Sequence, residues 1–283
     1  MFSLKKIFKR FRLKILGTFG LLLVENILIV AQPFVFGLAI NDLLAGSMRG
    51  VFYVIALYTG SLLTGVGRRM YDTRAYGSIY AAIAPETVQF QKEQNTPTSA
   101  IVTRSGLVKE LVDFFENDLT QGVTSVVGVL GAMVMLFILD FRLLIGCIMA
   151  VVLIYLIYMF SEKRIFKDNQ AYNDTLEEQV NVITKGQPLA IAKHFKTLTR
   201  WQIKLSDREA KNFGLIEAII FALVIFSLFV AVQGDNPTAG GIFATLAYIL
   251  EFGEGVYILP FIFQQFIRLK EISSRLETQT SGA

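Results

Sequence analysis

The chain has 283 residues, 53% of them hydrophobic and 18% charged, with a mean hydropathy of +0.53. A soluble domain carries about 25% charged residues, so this composition excludes an ordinary water-soluble protein and places the chain in a bilayer. With a net charge of +4, one cysteine and one histidine, it also excludes an intramolecular disulfide, a cysteine metal cluster and a histidine-rich metal site.

The first stretch, residues 1–14, reads MFSLKKIFKRFRLK and alternates Phe2, Leu4, Ile7, Phe8 and Phe11 with Lys5, Lys6, Lys9, Arg10 and Arg12. At helical spacing this predicts a basic amphipathic helix lying on the inner leaflet. A cleaved signal peptide is the weaker reading, because the apolar block that follows is longer than a signal core and no small-residue cleavage site ends it.

A spanning helix needs about 20 mostly apolar residues. Six blocks qualify, at 15–40, 51–67, 119–139, 143–160, 213–232 and 241–263. The second is short, and tilt or a continuing helix must complete it. Together they predict one all-α, six-helix membrane domain over 15–277, followed by a frayed tail at 278–283. Between the third and fourth blocks only Asp140, Phe141 and Arg142 intervene, which forces a tight antiparallel turn at one membrane face.

Orientation follows from the basic residues. Of the 27 Lys and Arg, only Arg49 and Arg142 fall in the short 1–2 and 3–4 turns. The rest flank the other membrane face. By the positive-inside rule both termini and both long connections are cytoplasmic, in a plasma membrane that for a bacterium is the inner one.

Those connections, 68–118 and 161–212, are far longer than ordinary loops, and loops of that length are functional or structured. Each reads as a helical hairpin. Only Pro85 interrupts Arg68 to Glu93, and Ser161 to Ile183 is rich in helix formers. Punctuation at NTPTS (95–99) and KGQPL (185–189) marks the tips. Gln94, Asn95, Thr96 and Pro97 at one tip, and Gly186, Gln187 and Pro188 at the other, are the expected docking surface for a soluble partner; the competing reading is that the hairpins merely lengthen the bundle. His194 reads as a surface histidine on a basic helix. Trp201 among basic residues is no argument for nucleic acid, because positive cytoplasmic flanks are what the topology already demands.

Within the spans the costly residues are carboxylates. Glu251 lies eleven residues in from Gly240, ~16 Å, and Glu25 ten residues in from Ile15, ~15 Å, so both sit near the middle of a ~30 Å core. A charge there faces protein or a water-filled cavity instead of lipid. Glu251 and Glu254, at i and i+3, share one helix face. That pair suits proton uptake and release, or the binding of a cationic substrate. The alternative is structural: the glutamates hydrogen-bond to Tyr248, Tyr257, Asn26 or backbone and fix helix packing. Glu217 is weaker, since it lies only about four residues inside the fifth span, ~6 Å, within reach of water. Gly253, Gly255 and Pro260 allow the sixth helix to bend near its carboxylates.

This arrangement of a surface helix, six spans and two long internal hairpins resembles the six-helix transmembrane domain of ABC exporters. PFVFGLAINDLLAG at 33–46 resembles the end of that family's first helix, and DFRLLIG at 140–146 its turn between helices three and four. TAGGIFATLAYILEFGEGVYILPFIFQQFIRLKEISSRLE at 238–277 is similar to its sixth helix. The resemblance covers essentially the whole chain. It implies a dimer of twelve helices, a homodimer before a heterodimer, with helices exchanged between subunits, a central cavity opening alternately to either side, and coupling helices at the two hairpin tips.

The departure lies in the ATPase. A P-loop needs a Lys followed by Ser or Thr behind glycine amides, yet Gly-Lys does not occur in this sequence. The expectation is therefore a permease without catalytic activity or cofactor of its own, moving a small molecule or peptide with a separately encoded ATPase. The alternatives are proton-coupled transport through Glu25, Glu251 and Glu254, and a non-transporting scaffold or sensor.

Overall fold

The computed structural model describes residues 8–94, 96–234 and 236–258, and every regular element among them is a helix. Six of these helices are long and apolar enough to cross a membrane. The protein is an integral membrane protein.

Helix α1 (Arg12–Leu44) follows a bend at Phe11. Residues 8–10 are helical, and most of the expected surface helix lies outside the described residues. The boundary expected at 14/15 is no break, because α1 starts at Arg12 and enters the apolar block without interruption. Its C-terminus closes on Gly46 (φ +77°): the Gly46 N–H reaches Leu43 O at 3.0 Å and the Ser47 N–H reaches Asp42 O at 2.8 Å. This is a Schellman closure, and it needs a residue that tolerates the left-handed region.

Helix α2 (Arg49–Glu93) returns antiparallel and runs 45 residues through Pro85. A continuing helix, ~68 Å long, therefore completes the short second block. The antiparallel register is set by Gly50 against Ala39, Lys14 Nζ to Ser78 Oγ at 2.6 Å, and the two-pronged Arg10 to Glu86 pair at 2.8 Å. After the tip, α3 (Thr98–Asp113), a π-helical turn (Phe114–Asp118) and α4 (Leu119–Leu139) form one continuous run. Ile15, Tyr76, Ile79, Ile83, Val108, Leu111 and Val112 form an apolar core here, so the first hairpin is held by its own packing.

The expected turn at 140–142 narrows to one residue. Asp140 is extended (φ −163°, ψ 126°) and α5 (Phe141–Glu177) starts directly after it. Then follow α6 (Gln179–Lys185), a left-handed Gly186 (φ +65°), α7 (Pro188–Gln233) and α8 (Ala239–Ile258). Pro188 occupies the first turn of α7, where its missing N–H costs nothing.

Two compact units emerge, Met1–Phe141 with Ala231–Ala283, and Arg142–Val230. In the second, Leu143, Gly146, Cys147, Ala150 and Ile154 of α5 and Ile216, Ile220, Leu223 and Ser227 of α7 are buried at helical spacing. Farther along, Ser161 Oγ donates to Asn212 Oδ1 at 2.7 Å, and Asp168 receives Lys204 Nζ at 2.8 Å and pairs with Arg208. His194 departs from expectation: it is 7% exposed, on the same inward stripe as Leu198 four residues later. The basic residues around it had suggested a solvated face, but the 3.6-residue period turns this position inward.

Candidate functional site

The site is built where α1, α4 and α8 meet. Thr238 caps α8: its Oγ1 accepts from the Gly241 N–H at 3.1 Å. Asn41 of α1 reinforces that end, accepting from the Gly240 N–H at 2.8 Å and donating to Thr238 Oγ1 at 3.2 Å. Farther in, the Tyr248 hydroxyl donates to Val30 O at 2.7 Å. Small residues close the rest of the junction. A Cβ on Gly131 would lie 2.6 Å from Val30 Cγ2, and one on Gly255 would overlap Val129.

This register brings Asn26 to the level of Glu251 and Phe252, since each helical step from the Val30–Tyr248 contact runs in opposite directions on the two helices. Glu251 is half-buried, and its Oε1 lies 3.6 Å from where a Cβ on Gly128 of α4 would sit. Glycine at 128 thus leaves room for the carboxylate against α4. Glu254 is exposed. With Phe243 and Leu250 it forms an open stripe on α8, flanked by the half-exposed Ala247 and Glu251. Among the described residues neither carboxylate has a hydrogen-bond or ion-pair partner.

The structure separates the six residues expected along the path. Asn26 donates to Leu22 O at 2.9 Å and to Thr124 Oγ1 at 3.4 Å, and Tyr248 donates to Val30. Neither serves a glutamate, because each side chain is consumed by a backbone carbonyl within reach. Tyr257 lies on α8, half-exposed, three residues beyond Glu254. Glu25 belongs elsewhere: it is ion-paired with Arg68 of α2, whose Nη1 also holds Asp72 Oδ2 at 2.7 Å. With Arg68 12% and Glu25 14% exposed, the mid-membrane charge of Glu25 is neutralised inside the protein. Sequence reasoning counted Arg68 only as a topology marker; the signal for its partnership was Asp72 one turn on. Pro260 lies outside the described residues. Glu217 is exposed in the second unit.

At the hairpin tips, Gln94 and Pro97 are exposed and Thr96 half-exposed; Asn95 lies outside the described residues. Gly186, Gln187 and Pro188 are all exposed. What the sequence reading missed is the apolar content of this second tip. Val180 is 72%, Ile183 50% and Leu189 88% exposed.

The model of the ABC transporter transmembrane region matches residues 4–240. No curated protein matches the chain. The matched stretch ends as α8 begins, so Glu251 and Glu254 stand beyond it.

Proposed function

The chain belongs to the family of the ABC transporter transmembrane region, and from that premise we propose that it is the permease of an ABC-type transporter. In this reading it moves a small molecule or peptide by alternating access, on ATP hydrolysed by a separate P-loop subunit. The observation that carries the proposal is the exposed apolar tip of the second hairpin. Helix α5 continues 17 residues past Phe160, ~25 Å beyond the apolar block, so Val180, Ile183 and Leu189 stand where lipid does not cover them. A soluble protein seated on the tip removes that surface from water.

Two copies form the channel. The compact α5–α7 unit suits exchange of a helix pair between protomers. In this reading both tips lie on the cytoplasmic side of a bacterial inner membrane, the orientation that the basic flanks favour.

The test is purification of tagged protein in mild detergent, with mass spectrometry for a co-purifying P-loop ATPase, followed by ATP-driven flux in proteoliposomes. A stoichiometric ATPase, released by Leu189→Glu, is the expected result. A clean homodimer whose flux ignores ATP overturns it.

A second reading is favoured by Glu251 and Glu254, which have no hydrogen-bond or ion-pair partner among the described residues and lie on or beside an open stripe of α8. It has a pH gradient drive transport through them. Flux that follows the pH gradient and is lost in Glu251→Gln or Glu254→Gln supports it; flux unchanged in both variants removes it. Absence of flux under either driving force leaves a membrane scaffold.

A further inference from the structure

Outside the α1–α4–α8 junction, a buried polar cluster lies between α1, α2 and the π-helical turn. Thr18, Asp72 and Tyr76 are buried there, just below the Glu25–Arg68 pair. Arg68 occupies Asp72 Oδ2. The other carboxylate oxygen, Asp72 Oδ1, together with Thr18 Oγ1 and the Tyr76 hydroxyl, makes no hydrogen bond of regular geometry among the described residues. The Tyr76 hydroxyl lies beside Thr18, close enough to share a hydrogen with it, and within electrostatic reach of Asp72. Three enclosed oxygens converge from two helices, and native interiors rarely leave such groups without a partner.

We propose that Asp72 Oδ1, Thr18 Oγ1 and the Tyr76 hydroxyl bind a small monovalent metal cation. Charge favours a cation: two carboxylates, Glu25 and Asp72, surround one guanidinium, so the ion cluster is net negative in a low-dielectric setting. Glu116, carried on the π-helical turn, is within electrostatic reach of Asp72 and deepens the negative field. The nearby cations Lys14 and Arg74 are turned to Ser78 Oγ and Met70 O. One free carboxylate oxygen and two neutral hydroxyls suit a single positive charge. Calcium takes six to eight oxygens, commonly several carboxylates, and magnesium demands near-octahedral geometry. The π turn is a second mark of the site, because such turns are rare and are found mostly at functional positions. Thr18 is three residues beyond Ile15, ~5 Å into the span, close to the basic membrane face and its aqueous ions.

The experiment is thermal unfolding of the full chain in detergent, with sodium chloride exchanged for choline chloride at constant ionic strength and constant near-neutral pH. Sodium is expected to raise the Tm saturably, as a ligand of the folded state does. Tyr76→Phe should shift the half-saturating sodium concentration upward by about tenfold, and Asp72→Asn should abolish the response. Glu86→Gln, at the exposed Arg10 pair, should leave it unchanged. If Asp72→Asn does not fold, Tyr76→Phe alone decides. A Tm indifferent to sodium, or a sodium response equal in wild type and Tyr76→Phe, overturns the proposal. So does a Tm that ignores sodium but rises on acidification in wild type and not in Asp72→Asn, which would assign the site to a proton.

Discussion

Gly37 of α1 and Gly240 of α8 meet backbone to backbone. A Cβ on Gly37 would lie 2.5 Å from Gly240 O, and a Cβ on Gly240 would fall on the Gly37 carbonyl itself. Because the obstructing atoms are main chain, no rotamer change relieves the clash. Close approach through small residues is how membrane helices gain packing when lipid is as apolar as their own surface.

Gly240→Ala is therefore predicted to destabilise the fold by about 1–3 kcal/mol or more. Gly60→Ala, where a Cβ would meet nothing within 4 Å, should be neutral or stabilising by up to about 1 kcal/mol from helix propensity. Thermal melts of both variants in detergent check the contrast. Equal melting points would mean that α8 does not cross α1 at this contact.

Arg68 is the next point of leverage. Removing it as Arg68→Gln strands Glu25 and Asp72 together in a mostly dry interior, and breaking a buried pair in this way costs about 3–5 kcal/mol. Glu25→Gln should cost less, because Arg68 keeps Asp72. A variant carrying Arg68→Met, Glu25→Gln and Asp72→Asn together should recover much of the loss, since no uncompensated charge remains. Melting points ordered otherwise, with Glu25→Gln the worst, would contradict the ion-pair assignment.

The contrast between Glu25 and Glu251 shows where the sequence was legible and where it was not. Hydropathy and basic flanks set out the six helices and the two hairpins, because bilayer thickness and backbone satisfaction leave little choice of element. Depth was legible too, since rise per residue puts both glutamates near the middle. Direction around the helix axis was not. Glu25 and Asn26 are neighbours, yet one faces Arg68 of α2 and the other Thr124 of α4. With mostly apolar residues on every side, periodicity carries little information about which face meets which neighbour. His194 failed for the same reason, being assigned by local charge while its angular position turned it inward.

Tyr248 separates packing from path. Its hydroxyl is spent on Val30 O, a carbonyl inside helix α1. Tyr248→Phe should then cost only about 1 kcal/mol of stability and leave substrate flux per folded transporter unchanged. A flux loss out of proportion to the folded fraction would return Tyr248 to the transport path.

The last prediction concerns acid. In the extended part of the second hairpin, the hydrogen bond from Lys204, joined by Arg208, holds the Asp168 carboxyl below its ordinary value although burial pulls the other way. A carboxylate depressed in the folded state contributes stability above its unfolded value, about 3.9, and loses it as pH falls through the folded value. The Tm deficit of Asp168→Asn relative to wild type should therefore be constant from about pH 6 to pH 9 and shrink below about pH 4, as wild type protonates the same group. Melts of both proteins across that range decide it. A deficit unchanged at about pH 3 would mean that Asp168 acts by shape alone, and that the Lys204 and Arg208 contacts do not depend on its charge.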